Sequence, residues 1–256
     1  MKQVAMLAWN SWQENLRNRF YLLALVFAGV LLYVSLLFGL LAVDQELRVL
    51  LDFGLGLIEL VGLAGALYGA TTVVLREMEM KTIYLILTRP VTRTQYLLGR
   101  FAGLMLSVIS AMTLMSAFHL ALLLAKGWHP QGAYARAFVG MSLKILTTSA
   151  LAMFLALFSS SVLTAGTIAA IAWTLGHFLP EIRHMIASGA PGMAAMPLTI
   201  LSYVLPNLQL YNARDRFSTA TLPAHEAPLL AWFGYAAAYT LVWLLLSQLL
   251  LRKKEF

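Results

Sequence analysis

The stretch "AFVGMSLKILTTSALAMFLALFSSSVLTAGTIAAIAWTLGHFLP", residues 137–180, carries Lys144 as its only permanently charged side chain. As one helix it would be about 66 Å long at about 1.5 Å per residue, which is roughly twice the hydrocarbon core of a bilayer. The stretch must therefore fold back, and we expect the turn at the run of three serines, 159–161. The stretch therefore predicts two transmembrane helices, 137–158 and 162–180.

The composition of the whole chain agrees with a membrane protein. Of its 256 residues, 61% are hydrophobic and only 11% are charged, whereas about a quarter of the residues in a soluble domain are charged. The chain has no cysteine, which excludes disulfides and thiolate metal sites. Its net charge of +7 is concentrated at the ends of apolar runs, as membrane orientation requires. We therefore expect an all-α polytopic membrane protein that binds the lipid bilayer and no nucleic acid.

Four further apolar runs complete a predicted set of six transmembrane spans within a single domain, 20–256. These runs lie at about 20–43, 53–75, 97–125 and 227–251. The charged stretch between the first two, "DQELRVLLD" at 44–52, is predicted to be a loop. The apolar part of residues 181–226 is too short and too interrupted by proline to cross a bilayer. It is therefore predicted to form a re-entrant or surface-lying outer segment.

Residues 1–19 predict an amphipathic helix that lies in the membrane interface, with Trp9 and Trp12 at the depth of the lipid headgroups. They lack the short apolar core and the cleavage site of a secretory signal. Of the 18 Lys and Arg residues, eleven lie on one side of the membrane if the termini and residues 76–100 share that side, and six lie on the other. The richer side is expected to be cytoplasmic, which places both termini inside.

Residues 76–95, "REMEMKTIYLILTRPVTRTQ", form a connector between spans two and three that is far longer than two helices need. An apolar stripe at helical spacing is formed by Met80, Ile83, Tyr84 and Leu87. Pro90 is expected to end this short helix, and Thr92 or Thr94 to cap the next one. Two interpretations remain open: a helix held on the inner leaflet by anionic lipid, or a docking site for a cytoplasmic partner.

Two motifs resemble those of the type-2 permeases of ATP-binding-cassette (ABC) transporters, including permeases that accompany the maturation of multi-copper enzymes. That family carries an E-x-E-x-G-T-L run, then S-R-P-V-S-R and a G-K before span three, and a P-N-L-x-L-F-N run in the outer loop. The first motif is matched by Glu77, Glu79, Thr82, Ile83, Arg89, Pro90, Val91, Arg93, Gly99 and Arg100. Lys81 stands where glycine is usual and Arg100 where lysine is usual. The outer motif resembles "LPNLQLYNARD", residues 205–215, with Tyr211 in place of phenylalanine.

The resemblance implies the membrane subunit of an exporter in a bacterial cytoplasmic (inner) membrane. In this family two permease copies pair, as a homodimer or a pseudo-symmetric heterodimer, with two separate ATPase subunits that bind ATP and Mg. The ATPases dock on a coupling helix between spans two and three. Its implied residues here are Glu77, Glu79, Lys81, Thr82, Ile83, Tyr84, Leu87, Arg89, Pro90 and Arg93. The chain itself has no GxxxxGK[ST] motif for a nucleotide, so neither an enzymatic activity nor a bound cofactor of its own is expected.

Four ionisable side chains fall within the predicted spans, in their outer halves: Glu59, His119, Lys144 and His177. Glu59 and Lys144 are expected about 9 Å and about 10 Å from the outer ends of their spans. Opposite charges at one depth can pair, which would form a polar layer at the outer end of a translocation path. The alternative is that Lys144 extends outward to the interface and Glu59 caps a neighbouring helix.

Small residues form two stripes, Gly62, Gly65 and Gly69 in span two and Gly99 and Gly103 in span three. Such stripes let helix backbones approach closely in lipid. They predict either contacts within one subunit or an interface between two.

Other classes of function are alternatives to the exporter. A membrane scaffold that recruits a cytoplasmic partner without transporting anything is the main alternative. An intramembrane enzyme is disfavoured because HExxH and GxSxG motifs are lacking, and an ion-driven carrier because no inverted repeat is visible. The five histidines show no ligand spacing on one helix face, so no metal site is predicted. The apolar spans favour a lipid, hydrophobic peptide or drug-like substrate.

Overall fold

The structure, a computed structural model, describes residues 2–17, 19–41, 46–79, 92–129, 132–159, 161–188, 192–213 and 228–253. All elements within these ranges are helical. They are α1 (Lys2–Arg17), α2 (Arg19–Leu41), α3 (Glu46–Glu79), α4 (Arg93–Ala125), α5 (Gly132–Phe158), α6 (Val162–His177), α7 (Leu179–Ala187), α8 (Gly192–Val204), a 3-10 helix (Leu208–Tyr211) and α9 (Leu229–Lys253).

Four of these helices, α3, α4, α5 and α9, are long and apolar enough to cross a membrane. The pair α6 and α7 makes a fifth if it counts as one span, although the two helices meet at a bend of 62°. In α2 the apolar run Leu25–Leu40 is shorter than the others. The described residues thus contain four to five membrane-length helices, as an all-α membrane protein requires.

The described helices associate through one large apolar cluster and two smaller ones, and large apolar side chains cover the outside as well. The core includes Leu55, Leu104 and Ile145, all at most 1% exposed, from α3, α4 and α5. The outer face of α9 instead exposes Leu230 (83%) and Leu245 (57%). A surface of this kind matches a lipid solvent rather than water.

The loop predicted at 44–52 is wrong for its described part, because residues from Glu46 onward belong to α3. Leu50 and Leu51 are buried in the core. Glu46 instead pairs with Lys126 at the end of α4, at 2.7 Å. The charged residues from Glu46 to Asp52 therefore share a helix with buried leucines. This helix begins before the apolar run 53–75, which was the basis for predicting a loop at 44–52.

Two ends of the bundle can be distinguished from its contacts. At the first, which we call the α1 end, Arg100 of α4 contacts both Glu14 of α1 and Glu77 of α3. The end of α9 is also there, because Arg93 donates a hydrogen bond to the Leu251 carbonyl. The opposite end, which we call the far end, holds the starts of α3, α5 and α9.

The helix break at the serine run lies at the α1 end. α5 ends at Phe158 and α6 begins at Val162, so the turn coincides with the predicted position. The Ser159 hydroxyl accepts a hydrogen bond from the backbone N–H of Ser161 at 3.2 Å. Beyond α6, the described part of the predicted outer segment forms three short helices, α7, α8 with Pro197 inside it, and the 3-10 helix.

Candidate functional site

The last turn of α3, where the predicted coupling segment begins, is fixed by a cluster of polar side chains. Glu77 accepts a hydrogen bond on Oε2 from the Tyr96 hydroxyl and binds Arg100 through Oε1. Arg100 also donates to Glu14 at 2.9 Å and to the Ser11 hydroxyl at 3.1 Å. One guanidinium therefore ties the amphipathic helix α1 to the ends of α3 and α4.

The point where the chain re-enters the bundle is fixed as well. Thr92 caps α4 with a reciprocal pair of hydrogen bonds: its hydroxyl accepts from the Gln95 N–H at 3.2 Å, and its own N–H donates to Oε1 of Gln95 at 3.0 Å. Such a capping box satisfies two N–H groups that a helix start leaves free. Of the two threonines predicted as the cap, Thr92 has this role.

Arg93 links this helix start to α9. Its Nη1 donates to the carbonyl oxygens of Leu251 at 2.7 Å and of Arg252 at 3.2 Å. One turn earlier in α9, Gln248 donates to the Thr94 hydroxyl at 2.7 Å. A cationic donor on the last carbonyls of a helix also interacts favourably with its dipole.

Most of the predicted coupling residues lie outside the described residues. Of that set, the backbone of Glu77 and Glu79 is described in α3, and Arg93 begins α4. The remainder lie within 80–91, outside the described ranges: Lys81, Thr82, Ile83, Tyr84, Leu87, Arg89 and Pro90. What the structure adds is the position of both ends of this segment, at the α1 end of the bundle.

At the far end, Glu59, Lys144 and His177 come together. Nζ of Lys144 donates to Oε1 of Glu59 at 3.0 Å, and Nε2 of His177 lies 3.9 Å from the same oxygen. Glu59 is 5% exposed and Lys144 3%. The three side chains line one cavity between α3, α5 and α6. Of the two interpretations of Glu59 and Lys144, the geometry matches an ion pair, not a lysine that extends to the interface.

The two charges lie at matching positions along α3 and α5, two helices that begin earlier than the predicted spans. Glu59 lies about 20 Å along α3 from Glu46, and Lys144 about 18 Å along α5 from Gly132, at about 1.5 Å per residue. The two charges are thus level with each other although each is farther from its helix start than expected.

His119, the fourth predicted residue, is not part of this cluster. Its Nε2 lies 3.1 Å from the Leu50 carbonyl and its Nδ1 lies 3.2 Å from the Tyr134 hydroxyl. The ring is fully buried and packs against Gly54, where a Cβ would overlap it. His119 therefore ties α3, α4 and α5 together and does not line the cavity.

Four of the five stripe glycines make close contacts within the chain. A Cβ on Gly99 would come within 2.6 Å of the Leu7 Cβ, and one on Gly103 within 2.7 Å of the Ala8 carbonyl. Gly62 and Gly69 are similarly close to side chains of α4, whereas Gly65 has no atom within 4 Å of such a Cβ. Gly99 and Gly103 therefore form the surface of α4 on which α1 packs, which we call the seat of α1. At these four positions the glycines make contacts within one subunit, which is the first of the two predicted alternatives.

The outer motif, which contains Tyr211, packs at the far end. The Tyr211 ring is buried and meets Trp232 edge-on, with ring centroids 6.2 Å apart. Its carbonyl lies against Gly140, where a Cβ would overlap it. Burial raises the pKa of the Tyr211 phenol, which stays protonated. Asn212, directly after it, lines the cavity.

Sequence reasoning missed several residues of both sites. Glu14 and Tyr96 belong to the Arg100 cluster, and Asp52 and Trp173 line the cavity. From the sequence, Glu14 is only one residue of the predicted amphipathic helix 1–19, and Asp52 only the last residue of the predicted loop 44–52. The signal that could have identified Glu14 is the polar face of α1, which can pair with the basic start of span three. Among the described residues, no group of three or more His, Asp or Glu side chains is placed to hold a metal ion.

Comparison of the chain with protein-family models and with curated proteins finds no match to either. The permease resemblance therefore depends on the motifs themselves.

Proposed function

We propose that this chain is the membrane subunit of an ABC exporter, driven by a separate ATPase that docks on residues 80–91. The observation that carries the proposal is that both flanks of this segment are held by polar contacts at one end of the bundle. Glu77 is bound by Arg100 and Tyr96, and Arg93 is bound to the carbonyls of α9. A segment fixed at both flanks transmits a push into the helices, whereas a slack loop absorbs it.

The arrangement of the helices supports the same function. α1, the flanks of the segment and the C-terminal end of α9 share one end of the bundle. With α2 as the first span and α6–α7 as the fifth, six spans place both termini on one side. The excess of Lys and Arg at that end makes it cytoplasmic, where an ATPase and its ATP are available. A second copy of the chain would complete the transporter.

Capture of the ATPase tests the proposal directly. The full chain is purified from its native membranes in mild detergent, and its partners are identified by mass spectrometry. We expect a stoichiometric subunit with a Walker motif that hydrolyses MgATP. Ile83→Asp, which places a charge in the apolar stripe, should reduce the captured ATPase by about tenfold, as expected for the loss of an apolar anchor residue.

A matched control separates docking from general damage. Ile200→Asp places the same charge on α8, at a side chain that is 56% exposed and outside the segment, and should leave ATPase capture unchanged. Equal capture by Ile83→Asp and by the unchanged chain would contradict docking at this segment. A captured partner without ATPase activity would favour the alternative function, a membrane scaffold that moves no substrate.

A further inference from the structure

The far-end cavity has the size and the access of a ligand site. Its volume is about 850 Å³, within the range of about 300–1,000 Å³ that is typical of small-molecule pockets. One wall is a face of α3, where Phe53 is 40% exposed and Leu60 49% exposed. The buried floor is formed by Glu59 and Lys144. The cavity thus joins an apolar, accessible rim to a charged, buried floor.

The carboxylate on the floor has an unused oxygen. Both contacts of Glu59, with Lys144 and with His177, are made by Oε1. Its Oε2 has no hydrogen-bond donor among the residues that the structure describes. An ionised carboxylate accepts hydrogen bonds on both oxygens, so Oε2 is open to a further donor from the cavity. A ligand with an N–H group would satisfy it.

The charges around the cavity balance. The lining contains two acids, Asp52 and Glu59, and two bases, Arg48 and Lys144. A ligand with a net charge would bring its own uncompensated charge next to the buried Glu59 and Lys144, where the dielectric constant is low. A headgroup that carries one amine and one acid leaves the balance intact.

Two ring N–H groups lie near the polar floor, one from His177 and one from Trp173. Nδ1 of His177 lies 3.0 Å from the Trp173 carbonyl, so this nitrogen carries a hydrogen and Nε2 faces Glu59. The indole N–H of Trp173, also on the cavity wall, is buried and has no acceptor among the described residues. An acidic oxygen of a ligand would provide one.

From these contacts we infer that the cavity binds an amphiphile whose headgroup carries a primary or secondary ammonium and an acidic group. The ammonium donates to Oε2 of Glu59, and the acidic group lies toward Lys144 and Arg48. The apolar part of the molecule lies along Phe53, Leu57 and Leu60. The claim that this amphiphile is an exported substrate rests on the proposed function. The claim that the cavity binds the amphiphile does not depend on that function.

Four probes test the headgroup chemistry on the purified full chain in detergent, with affinities measured by native mass spectrometry. Three are lysophospholipids of equal chain length, with an ethanolamine, a choline or a glycerol headgroup, and the fourth is phosphoethanolamine without a chain. We expect the ethanolamine lipid to bind about tenfold more tightly than the choline lipid, which has no N–H, and than the anionic glycerol lipid. Phosphoethanolamine alone should bind more weakly, because it lacks the apolar part and its phosphate monoester carries a net negative charge. Equal affinity for the three lipids would overturn the inference. If phosphoethanolamine bound most tightly, the claim that the ligand is an amphiphile would be wrong.

Variants locate the site. Glu59→Gln alone removes the carboxylate beside the buried Lys144 and destabilises the fold, so the double variant Glu59→Gln with Lys144→Met is used. It should remove the preference for the ethanolamine lipid, and Glu181→Gln, on the exposed side of α7, should keep it. An unchanged preference in the double variant would place binding elsewhere. The lipid comparison on the unchanged chain decides the inference even if the double variant does not fold.

This assay contains neither ATPase nor nucleotide, so the two proposals fail separately. A chain that captures its ATPase but does not discriminate the lysolipids keeps the proposed function and loses this substrate class. A chain that discriminates the lysolipids but captures no ATPase keeps the site and loses the exporter.

Discussion

Lys144 on α5 donates a hydrogen bond to Glu59 on α3 across 3.0 Å, and the two side chains are only 4% and 7% exposed. A charge within a bilayer is costly when it is alone, and pairing offsets part of that cost. The pair therefore stabilises one register between α3 and α5, because sliding either helix by a turn would separate the charges.

A double-mutant cycle on this pair is the first prediction. Glu59→Gln and Lys144→Met should each destabilise the protein by about 3–5 kcal/mol, because each leaves the other polar group buried without its partner. The double variant should be more stable than the sum of the single losses implies. Thermal unfolding in detergent measures all four proteins. Additive losses would show that the two side chains do not interact.

The second prediction concerns the two acids that share Arg100. Glu77 is mostly buried and bound by both Arg100 and Tyr96, whereas the Glu14 side chain is 69% exposed. Glu77→Gln should therefore lower the unfolding temperature clearly, and Glu14→Gln only slightly, because an exposed ion pair contributes about 0–1 kcal/mol. Arg100→Lys should resemble Glu77→Gln, since one ammonium replaces two separate guanidinium nitrogens. Equal effects of both Gln variants would contradict this ranking.

These contacts also show what could be predicted from the sequence. The long apolar runs and the serine turn at 159–161 follow from local composition, because a bilayer imposes a length on each helix. The start of α3 at Glu46 does not, since its first turns contact another helix, where His119 lies 3.1 Å from the Leu50 carbonyl. Equal depth in the sequence was enough to predict that Glu59 pairs with Lys144. To predict that His119 lies apart from them, one would need the rotation of each helix about its axis, which the sequence does not give.

The third prediction tests the seat of α1 on α4. Gly103→Val should displace α1, because a Cβ at this position already lies 2.7 Å from the Ala8 carbonyl. Tryptophan fluorescence and protease protection of the N-terminal helix measure the displacement. Gly65→Ala is the matched control: nothing lies within 4 Å of its Cβ, and alanine favours a helix by up to about 1 kcal/mol over glycine. Unchanged protection in Gly103→Val would contradict the predicted displacement.

The fourth prediction concerns orientation in the membrane. The chain has no cysteine, so single cysteines report their own surroundings. Thr82→Cys, in the proposed coupling segment, should react with a membrane-impermeant maleimide only after the cells are opened. Ser188→Cys, exposed at the end of α7, should react in intact cells whose outer membrane has been made permeable. The reverse pattern would place the segment outside and exclude docking of a cytoplasmic ATPase.

The last prediction separates docking from transmission at Arg93. Its guanidinium binds the carbonyls of Leu251 and Arg252, so it connects the start of α4 to the end of α9 beside the proposed docking segment. Arg93→Gln should leave the ATPase bound but reduce substrate-stimulated MgATP hydrolysis several-fold, because the helix ends no longer move together. Lys253→Gln removes an exposed charge at the same end and should leave stimulation unchanged. Loss of ATPase capture in Arg93→Gln would instead show that Arg93 belongs to the docking surface itself.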